Sequence, residues 1–365
     1  MKKILIISQA PSGGVGRHIA NLIDGLEEQM DFYVLYNPEF ADASFKNWLK
    51  QSSNVKGITT PYLIREINPV IDLKAIIYIY KKIKEVKPDV VHTHSSKAGA
   101  VGRIAAKMAG IENIVYTPHA YAFLSKEFSS RKSKIFICVE RILSRHFTRK
   151  TINVSISEKN AALSKKIDCN DKFMVIPNAI PSKEFYDVNL QRKRLGIDDP
   201  DIFIVGNIAR VAEQKNPDFF VEVAKIVKQK DSSIVFFWVG YKEKRLANYS
   251  IEEENEVNFV GEMVQTDDLV AAFNLYFCTS IFEGMSYSLL EAADAGVPVL
   301  LSNVEGNNDF ADIYTASELF DLSDAPSIIA DKIIDYKKRH NEHVGQVTYS
   351  YKKMISAIKD VYEQG

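Results

Sequence analysis

Short apolar runs of strand length alternate with helical stretches from one end of this chain to the other. That alternation restricts it to parallel sheets covered by helices on both faces. Ile4–Ile7 reads as a first buried strand, and Gly13-Gly14-Val15-Gly16 as a tight turn into a helix that continues through Glu28. Phe32–Tyr36 is the second strand. Asn68-Pro69 pairs an N-cap with a proline at the first helical position, and Ile71, Ala75, Ile79 and Ile83 give the helix one apolar face. Strands Asp89–His92, Ile114–Tyr116, Ile152–Val154 and Phe173–Ile176 follow, separated by helices around Val101–Ala109, about 131–148, and after Ser157. The second half repeats the rhythm with strands Ile202–Val205, Ile234–Val239, Val257–Val260, Leu275–Cys278 and Val297–Leu301. A helix starts at Asn216-Pro217 by the same device as Asn68-Pro69, and another runs from Ser286 to Ala295, stopped by Gly296.

The expected fold is therefore α/β: two doubly wound, Rossmann-like domains facing a cleft, joined by the Pro- and charge-rich passage Pro177 to Pro200. The expected boundaries are 1–182, 183–347, and a last helix over 348–365 that packs back on the N-terminal domain. A length of 365 residues suits two domains, and 46% hydrophobic with 25% charged residues excludes a disordered or collagenous chain. No apolar run reaches the roughly 18 residues that span a bilayer. The start, MKKILIIS, turns polar too early for a signal peptide, and three scattered cysteines argue against a disulfide framework, so a reduced cytoplasmic setting is expected. The net charge of −1 conceals +11 over residues 1–182 and −12 over 183–365. The basic half is expected to meet something anionic.

Three constellations carry chemistry. In Ser12-Gly13-Gly14-Val15-Gly16-Arg17, glycines between strand and helix let backbone amides approach an anion. Ile19 occupies the place of the third small residue of a dinucleotide fingerprint, which argues against nicotinamide binding. In the second constellation, Arg210 and Lys215 follow the first strand of the second half, at the sheet edge where α/β folds bind ligands. A guanidinium can grip a diphosphate in a planar fork and an ammonium adds a point charge. Read alone, the pair is more simply two solvated surface cations. The third and most specific is Phe282-Glu283-Gly284-Met285-Ser286-Tyr287-Ser288-Leu289-Leu290-Glu291. With Ser286 as N-cap, the amides of Ser288 and Leu289 face the loop and can bind phosphate, while Glu283 and Glu291 can accept from sugar hydroxyls.

Taken together with Lys87-Pro88-Asp89-Val90-Val91-His92-Thr93-His94-Ser95-Ser96-Lys97-Ala98-Gly99, Thr117-Pro118-His119 and Ile176-Pro177-Asn178, these motifs resemble the retaining glycosyltransferases of family 4 over nearly the whole chain. The His92-Thr93-His94-Ser95-Ser96-Lys97-Ala98-Gly99 segment is most similar to bacterial members that build capsule, exopolysaccharide and other surface glycans. The resemblance implies the GT-B fold. It implies a reaction without metal or cofactor that moves a hexose or N-acetylhexosamine from a nucleotide-diphosphate sugar, expected to be a UDP-sugar, onto a lipid-linked or saccharide acceptor. It implies that Gly14, Arg210 and Lys215 meet the donor diphosphate, Glu291 the ribose and Glu283 the transferred sugar. Gly284, Met285, Ser286, Ser288 and Leu289 complete the donor loop. His119 would sit near the anomeric carbon and act with Glu283, Arg210 and Lys215 in catalysis. Gly13, Arg17, His94, Ser95 and Lys97 would lie on the acceptor side. Ala179, and Asn303-Val304-Glu305-Gly306-Asn307-Asn308 without the usual paired glycines, depart from the family pattern.

Weaker signals remain. His92 and His94 share one face of a strand and with His119 could chelate a metal, although lining the site is the better reading. Asp199-Pro200-Asp201 spells a metal-binding pattern but lies in the interdomain passage, and His340 with His343 read as solvated. Residues 126–150 carry a local charge of +6, with Ile135, Val139 and Ile142 as an apolar stripe. Either the helix lies on anionic lipid, or the stripe is core and the cations a solvated face. The acceptor class favours a peripheral position at the inner face of the cell membrane. A sugar-nucleotide epimerase or phosphorylase of the same architecture, or a non-catalytic glycan- or nucleotide-binding module, are the alternatives. No nucleic-acid motif is present.

Overall fold

The structure is a computed structural model that describes residues 1–125, 128–241, 256–263, 266–339 and 347–364. Lys126, Glu127, His340 and His343 lie outside the described residues. The chain divides into two compact units, Met1–Ala179 with Ser350–Gly365, and Ile180–Tyr349.

The first unit is built on seven parallel strands: β1 (Lys2–Ser8), β2 (Met30–Tyr36), β3 (Val55–Thr59), β4 (Val90–His94), β5 (Ile114–Thr117), β6 (Lys150–Asn153) and β7 (Phe173–Val175). Their order is β3-β2-β1-β4-β5-β6-β7. Ile4, Leu5, Ile6 and Ile7 are fully buried, as a strand covered on both faces requires. The connections are α1 (Gly13–Asp24), α2 (Ala43–Gln51), α3 (Pro69–Val86), α4 (Ser96–Met108), α5 (Ser130–Phe147) and α6 (Ile156–Ser164). Asn68 caps α3 as its sequence suggests, its side-chain oxygen accepting from the amides of Val70 and Ile71. Helix α1 begins earlier than expected. The glycines form its first turn instead of a separate loop, and that turn packs so closely on the preceding chain that a Cβ on Gly16 would lie 3.0 Å from the Pro11 carbonyl. It also ends at Asp24, short of Glu28.

A C-terminal helix, Tyr351–Glu363, belongs to this first unit. It buries Met354, Ile355, Ile358, Val361 and Tyr362, and the Tyr351 hydroxyl donates to the Asn21 carbonyl at 2.6 Å.

Among its described residues the second unit has six parallel strands, β8 (Phe203–Ile208), β9 (Ile234–Val239), β10 (Asn258–Gly261), β11 (Leu275–Cys278), β12 (Val299–Ser302) and β13 (Ser317–Phe320), ordered β10-β9-β8-β11-β12-β13. The helices among its described residues are α7 (Val188–Arg194), α8 (Pro217–Lys230), α9 (Thr266–Leu269), α10 (Tyr287–Asp294), α11 (Asn307–Ala311) and α12 (Pro326–Lys338). Aromatic packing of Phe220 on Trp238 and Phe277 fills the core between β-sheet and α8. Two expectations need correction. The passage Pro177–Pro200 is more than a connector: it holds α7, whose Arg192 donates to the carbonyls of Asp199 and Ile202. Asn216 does not repeat Asn68. It is left-handed (φ 52°) and its side chain caps nothing; instead the Lys215 and Asn216 carbonyls accept from the Thr279 hydroxyl. Among the described residues, no helix is long and apolar enough to cross a membrane.

Candidate active site

In the second unit, four segments meet at the carboxyl edge of the sheet. Beyond β8 the chain carries Arg210, which is half-buried, and then a short turn, Glu213–Lys215. The loop after β11 is stitched onto that turn: the Ile281 amide donates to the Gln214 carbonyl at 2.8 Å, and the Gln214 side chain donates to the Phe282 carbonyl at 3.0 Å. This delivers Glu283 to Lys215, and the two form an ion pair at 2.5 Å with side chains 8% and 16% exposed. The Ser288 hydroxyl, in the first turn of α10, donates to the Ile208 carbonyl and anchors that helix start to the end of β8. Tyr276 does the same from β11, donating to Asn207 and accepting from the Ile208 amide.

Leu290 is the first residue whose amide bonds back to the α10 cap, reaching the Ser286 carbonyl, so the amides of Ser288 and Leu289 belong to the outward-facing turn. Ser286 is the N-cap residue by position, though its hydroxyl makes no capping bond. Glu291 is 8% exposed and so is no ordinary surface charge. The departure from the family pattern at 303–308 resolves into a direct backbone contact: the Glu283 amide donates to the Glu305 carbonyl at 3.0 Å. Gly306 has φ 84°, and a Cβ there would lie 2.3 Å from the Gly284 carbonyl oxygen and 2.5 Å from that of Glu283. Gly306→Ala is therefore expected to push the Glu283 segment out of place. A displacement of that order costs about a hundredfold in turnover. Steady-state transfer rates beside a far-ultraviolet spectrum check it; native activity would show that the loop accommodates the methyl.

The first unit presents a different chemistry at the carboxyl edge of its own sheet. Ser8, His94 and Thr117 lie in register at the ends of β1, β4 and β5. Four imidazoles gather there. His94 Nδ1 and His119 Nε2 are 3.0 Å apart and hydrogen-bonded, the His92 and His94 rings lie 4.1 Å apart, and His18 from α1 packs edge-on to His119 at 4.8 Å. His18 Nδ1 donates to the Asn178 side-chain oxygen. His92 is held at both nitrogens, by the Tyr362 hydroxyl of the C-terminal helix at 2.6 Å and by the Thr117 hydroxyl at 2.9 Å. Burial pushes the His18 imidazole down to about 4, and it holds His92, His94 and His119 well below the ordinary value, with the neighbouring imidazoles adding to the effect. The nest is neutral at pH 7.

His119 (φ 53°) and Ala120 (φ 75°) sit in left-handed backbone that neither residue prefers. Glu158, 2% exposed, holds this turn by accepting from the Ala120 amide at 2.6 Å while also accepting from the Val154 amide. The other expected acceptor-side residues are placed as follows. The Gly13 amide donates to the Asp42 carboxylate at 2.7 Å, so a protein carboxylate already lies at the start of α1. Gly14, expected instead at the donor diphosphate, is exposed beside it, and Arg17 is half-buried on the same helix. Ser95 is left-handed at the start of α4, and the Lys97 ammonium is taken by Asp72 and by the Glu66 carbonyl.

The histidine trio needs correction. His92 is engaged by two hydroxyls, and the three residues whose nitrogens lie within 4.8 Å of one another are His18, His94 and His119. Three neutral imidazoles are a donor set that a zinc ion could use, though the trio brings no carboxylate to offset its charge. Sequence reading did not single out His18, Glu158 or Tyr362. Only Asn178 had a signal, as part of Ile176-Pro177-Asn178.

Two parallel α/β units, each with its polar residues at the carboxyl edge, are the architecture of a GT-B glycosyltransferase. Residues 12–184 match the model of Glycosyltransferase Family 4, and residues 199–338 that of Glycosyl transferases group 1. The chain belongs to the family-4 glycosyltransferases. It is 29% identical over 329 residues to an Escherichia coli protein named UDP-Gal:alpha-D-GlcNAc-diphosphoundecaprenol alpha-1,3-galactosyltransferase, covering 85% of this chain and 84% of that one. A Campylobacter jejuni N,N'-diacetylbacillosaminyl-diphospho-undecaprenol alpha-1,3-N-acetylgalactosaminyltransferase is 26% identical, with 69% of each chain covered. The Anabaena protein HepE, solved with UDP and glucose, shares the fold at a TM-score of 0.76 and 19% identity, over 100% of both chains.

Proposed function

We propose that this glycosyltransferase takes a sugar from a UDP-sugar, with retention of configuration and without a metal, and adds it to a polyprenyl-diphosphate-linked saccharide in the assembly of a bacterial surface polysaccharide. The observation that carries the donor half is the Lys215–Glu283 pair set beside the start of α10, with Glu291 buried one turn in. Breaking the bond between the anomeric carbon and the diphosphate leaves negative charge on the departing oxygen and positive charge on the sugar ring. Arg210, Lys215 and the amides of Ser288 and Leu289 are prearranged donors for the first charge, and the Glu283 carboxylate is an acceptor for the ring hydroxyls. Glu291 takes the ribose. The acidic total of the second unit is no obstacle, because these local donors set the field where the diphosphate lies.

The first unit takes the acceptor at its carboxyl edge, where neutral imidazoles offer hydrogen bonds to sugar hydroxyls without adding charge. The names of the Escherichia coli and Campylobacter relatives, both acting on undecaprenyl-diphosphate-linked sugars, support the acceptor class, and the first also supports a UDP donor. Such an acceptor places the enzyme at the inner face of the cell membrane, where the basic first unit suits anionic lipid.

A thermal-shift panel of UDP-, GDP- and ADP-sugars tests the donor. A ligand at a hundred times its dissociation constant adds about 2.7 kcal/mol of apparent stability. Uridine compounds are expected to raise the melting temperature. A response to guanosine or adenosine compounds alone, or to none, would overturn the assignment.

A further inference from the structure

The stripe Ile135, Val139 and Ile142 on α5 is not core. All three side chains are exposed, and so is a second row that the sequence did not announce: Ile67, Val70, Leu73 and Ile77, ahead of and along α3. Together these seven residues are between 39% and 68% exposed. Spacings of three and four residues put Val70, Leu73 and Ile77 on one face of α3, and Ile135, Val139 and Ile142 on one face of α5.

The two rows face the same way. The connections β3 to β4, β4 to β5 and β5 to β6 all step in one direction across the sheet, so right-handed crossovers place α3, α4 and α5 in one layer. Helix α3 packs on α4, and α4 on α5. Met108, at the end of α4, is exposed between them. Because these helices run back against the strands, their N-terminal halves stand at the carboxyl edge, beside His94 and His119. Lys97 fastens that end, joining the start of α4 to Asp72 of α3 and to the Glu66 carbonyl.

The exposed charges on this layer are predominantly basic. Arg131, Lys132, Lys134 and Arg145 are exposed along α5, and Lys74 and Lys81 along α3. The only carboxylate of α5, Glu140, is buried against Arg103 at 2.8 Å. On α3, Asp72 is paired with Lys97, while Glu85, neutralised by Lys82, and Glu66, just ahead of the helix, are the exposed acids, outnumbered by the cations. A face this basic repels a second copy of itself. Aliphatic rows between exposed cations match the boundary of an anionic bilayer, where hydrocarbon takes the rows and headgroups take the cations.

We propose that the outer face of the α3–α4–α5 layer is the surface by which this enzyme lies on an acidic phospholipid membrane, α3 and α5 each sinking one aliphatic row. This rests on the lipid-linked-acceptor reading and deepens it, since it sets the acceptor edge of the first unit at the bilayer surface.

Flotation of the full chain with vesicles of phosphatidylcholine, alone or mixed with phosphatidylglycerol, is the test. The native protein is expected to float with the mixed vesicles and not with the neutral ones, and to be released by salt. The double variants Leu73→Ser/Ile77→Ser and Ile135→Ser/Ile142→Ser are each expected to lose binding at least about tenfold. All four side chains are exposed, so these variants should keep the native melting temperature and the native thermal response to UDP-sugar. Lys132→Glu/Lys134→Glu is expected to weaken binding to the mixed vesicles alone. Equal flotation with both vesicles, native binding by both apolar double variants, or a dimer in sedimentation that these variants dissolve, would overturn the proposal. A missing nucleotide response alongside the expected flotation pattern would remove the donor reading and leave the membrane face standing.

Discussion

Lys215→Ala and Glu283→Ala are each expected to abolish sugar transfer in a chain that still folds. Lys215 is the point charge for the departing diphosphate and Glu283 the acceptor for the ring hydroxyls, and each also holds the other in place at 2.5 Å. Loss of one preorganised donor at a developing oxyanion costs about 10²–10³ in turnover. Here a single change removes one group and misplaces its partner, so the loss should reach the upper end of that range. Stability responds differently. Each single change leaves its partner charged and largely buried, which costs about 3–5 kcal/mol. The double variant Lys215→Met/Glu283→Gln should recover much of that cost and none of the transfer. Turnover measured with donor and lipid-linked acceptor, set against urea midpoints for all three variants, separates the two effects. Near-native turnover in either single variant would contradict the roles given to this pair.

Stability is expected to fall steeply as the pH drops from 6.5 towards 4. The sign follows from the buried imidazoles of the first unit. In the unfolded chain His18, His92, His94 and His119 take up protons near pH 6.5, while in the folded protein burial holds all four down, His18 to about 4. Between those values the unfolded state binds more protons, so the stability present above pH 6.5 is lost on acidification. Each such group contributes up to about 1.4 kcal/mol per pH unit, and His18 alone about 3 kcal/mol over its full shift. Urea midpoints at pH 7, 6 and 5 give the slope. His18→Asn should lower it by close to one proton. A flat profile over this range would mean that the four rings are solvated.

The elements were legible where one sequence window decides them. The buried run Ile4–Ile7, the Asn68-Pro69 helix start and the Glu283-to-Glu291 loop are local patterns, and the structure keeps them. What escaped notice depends on distant partners. His18 is set by Asn178, 160 residues away, and His92 by Tyr362, 270 residues away, and no local period announces such pairs. Asn216-Pro217 has the same letters as Asn68-Pro69 but a different backbone, because Thr279 claims its carbonyl. Whether Ile135, Val139 and Ile142 were core or surface was undecidable from periodicity, which reports a stripe and not what covers it. Glu140, counted among the charges of a basic helix, turned inward to Arg103, and only the fold could reveal that the outer face had lost its acid.

The central claim is that the donor diphosphate is held by the second unit at Arg210, Lys215 and the start of α10. Crystals soaked with a UDP-sugar test it most directly. The expected density has phosphate oxygens within hydrogen-bonding distance of Arg210, Lys215 and the amides of Ser288 and Leu289. It also has the ribose hydroxyls on Glu291 and the sugar hydroxyls on Glu283. A nucleotide bound elsewhere, with Arg210 and Lys215 turned to solvent, would contradict the account.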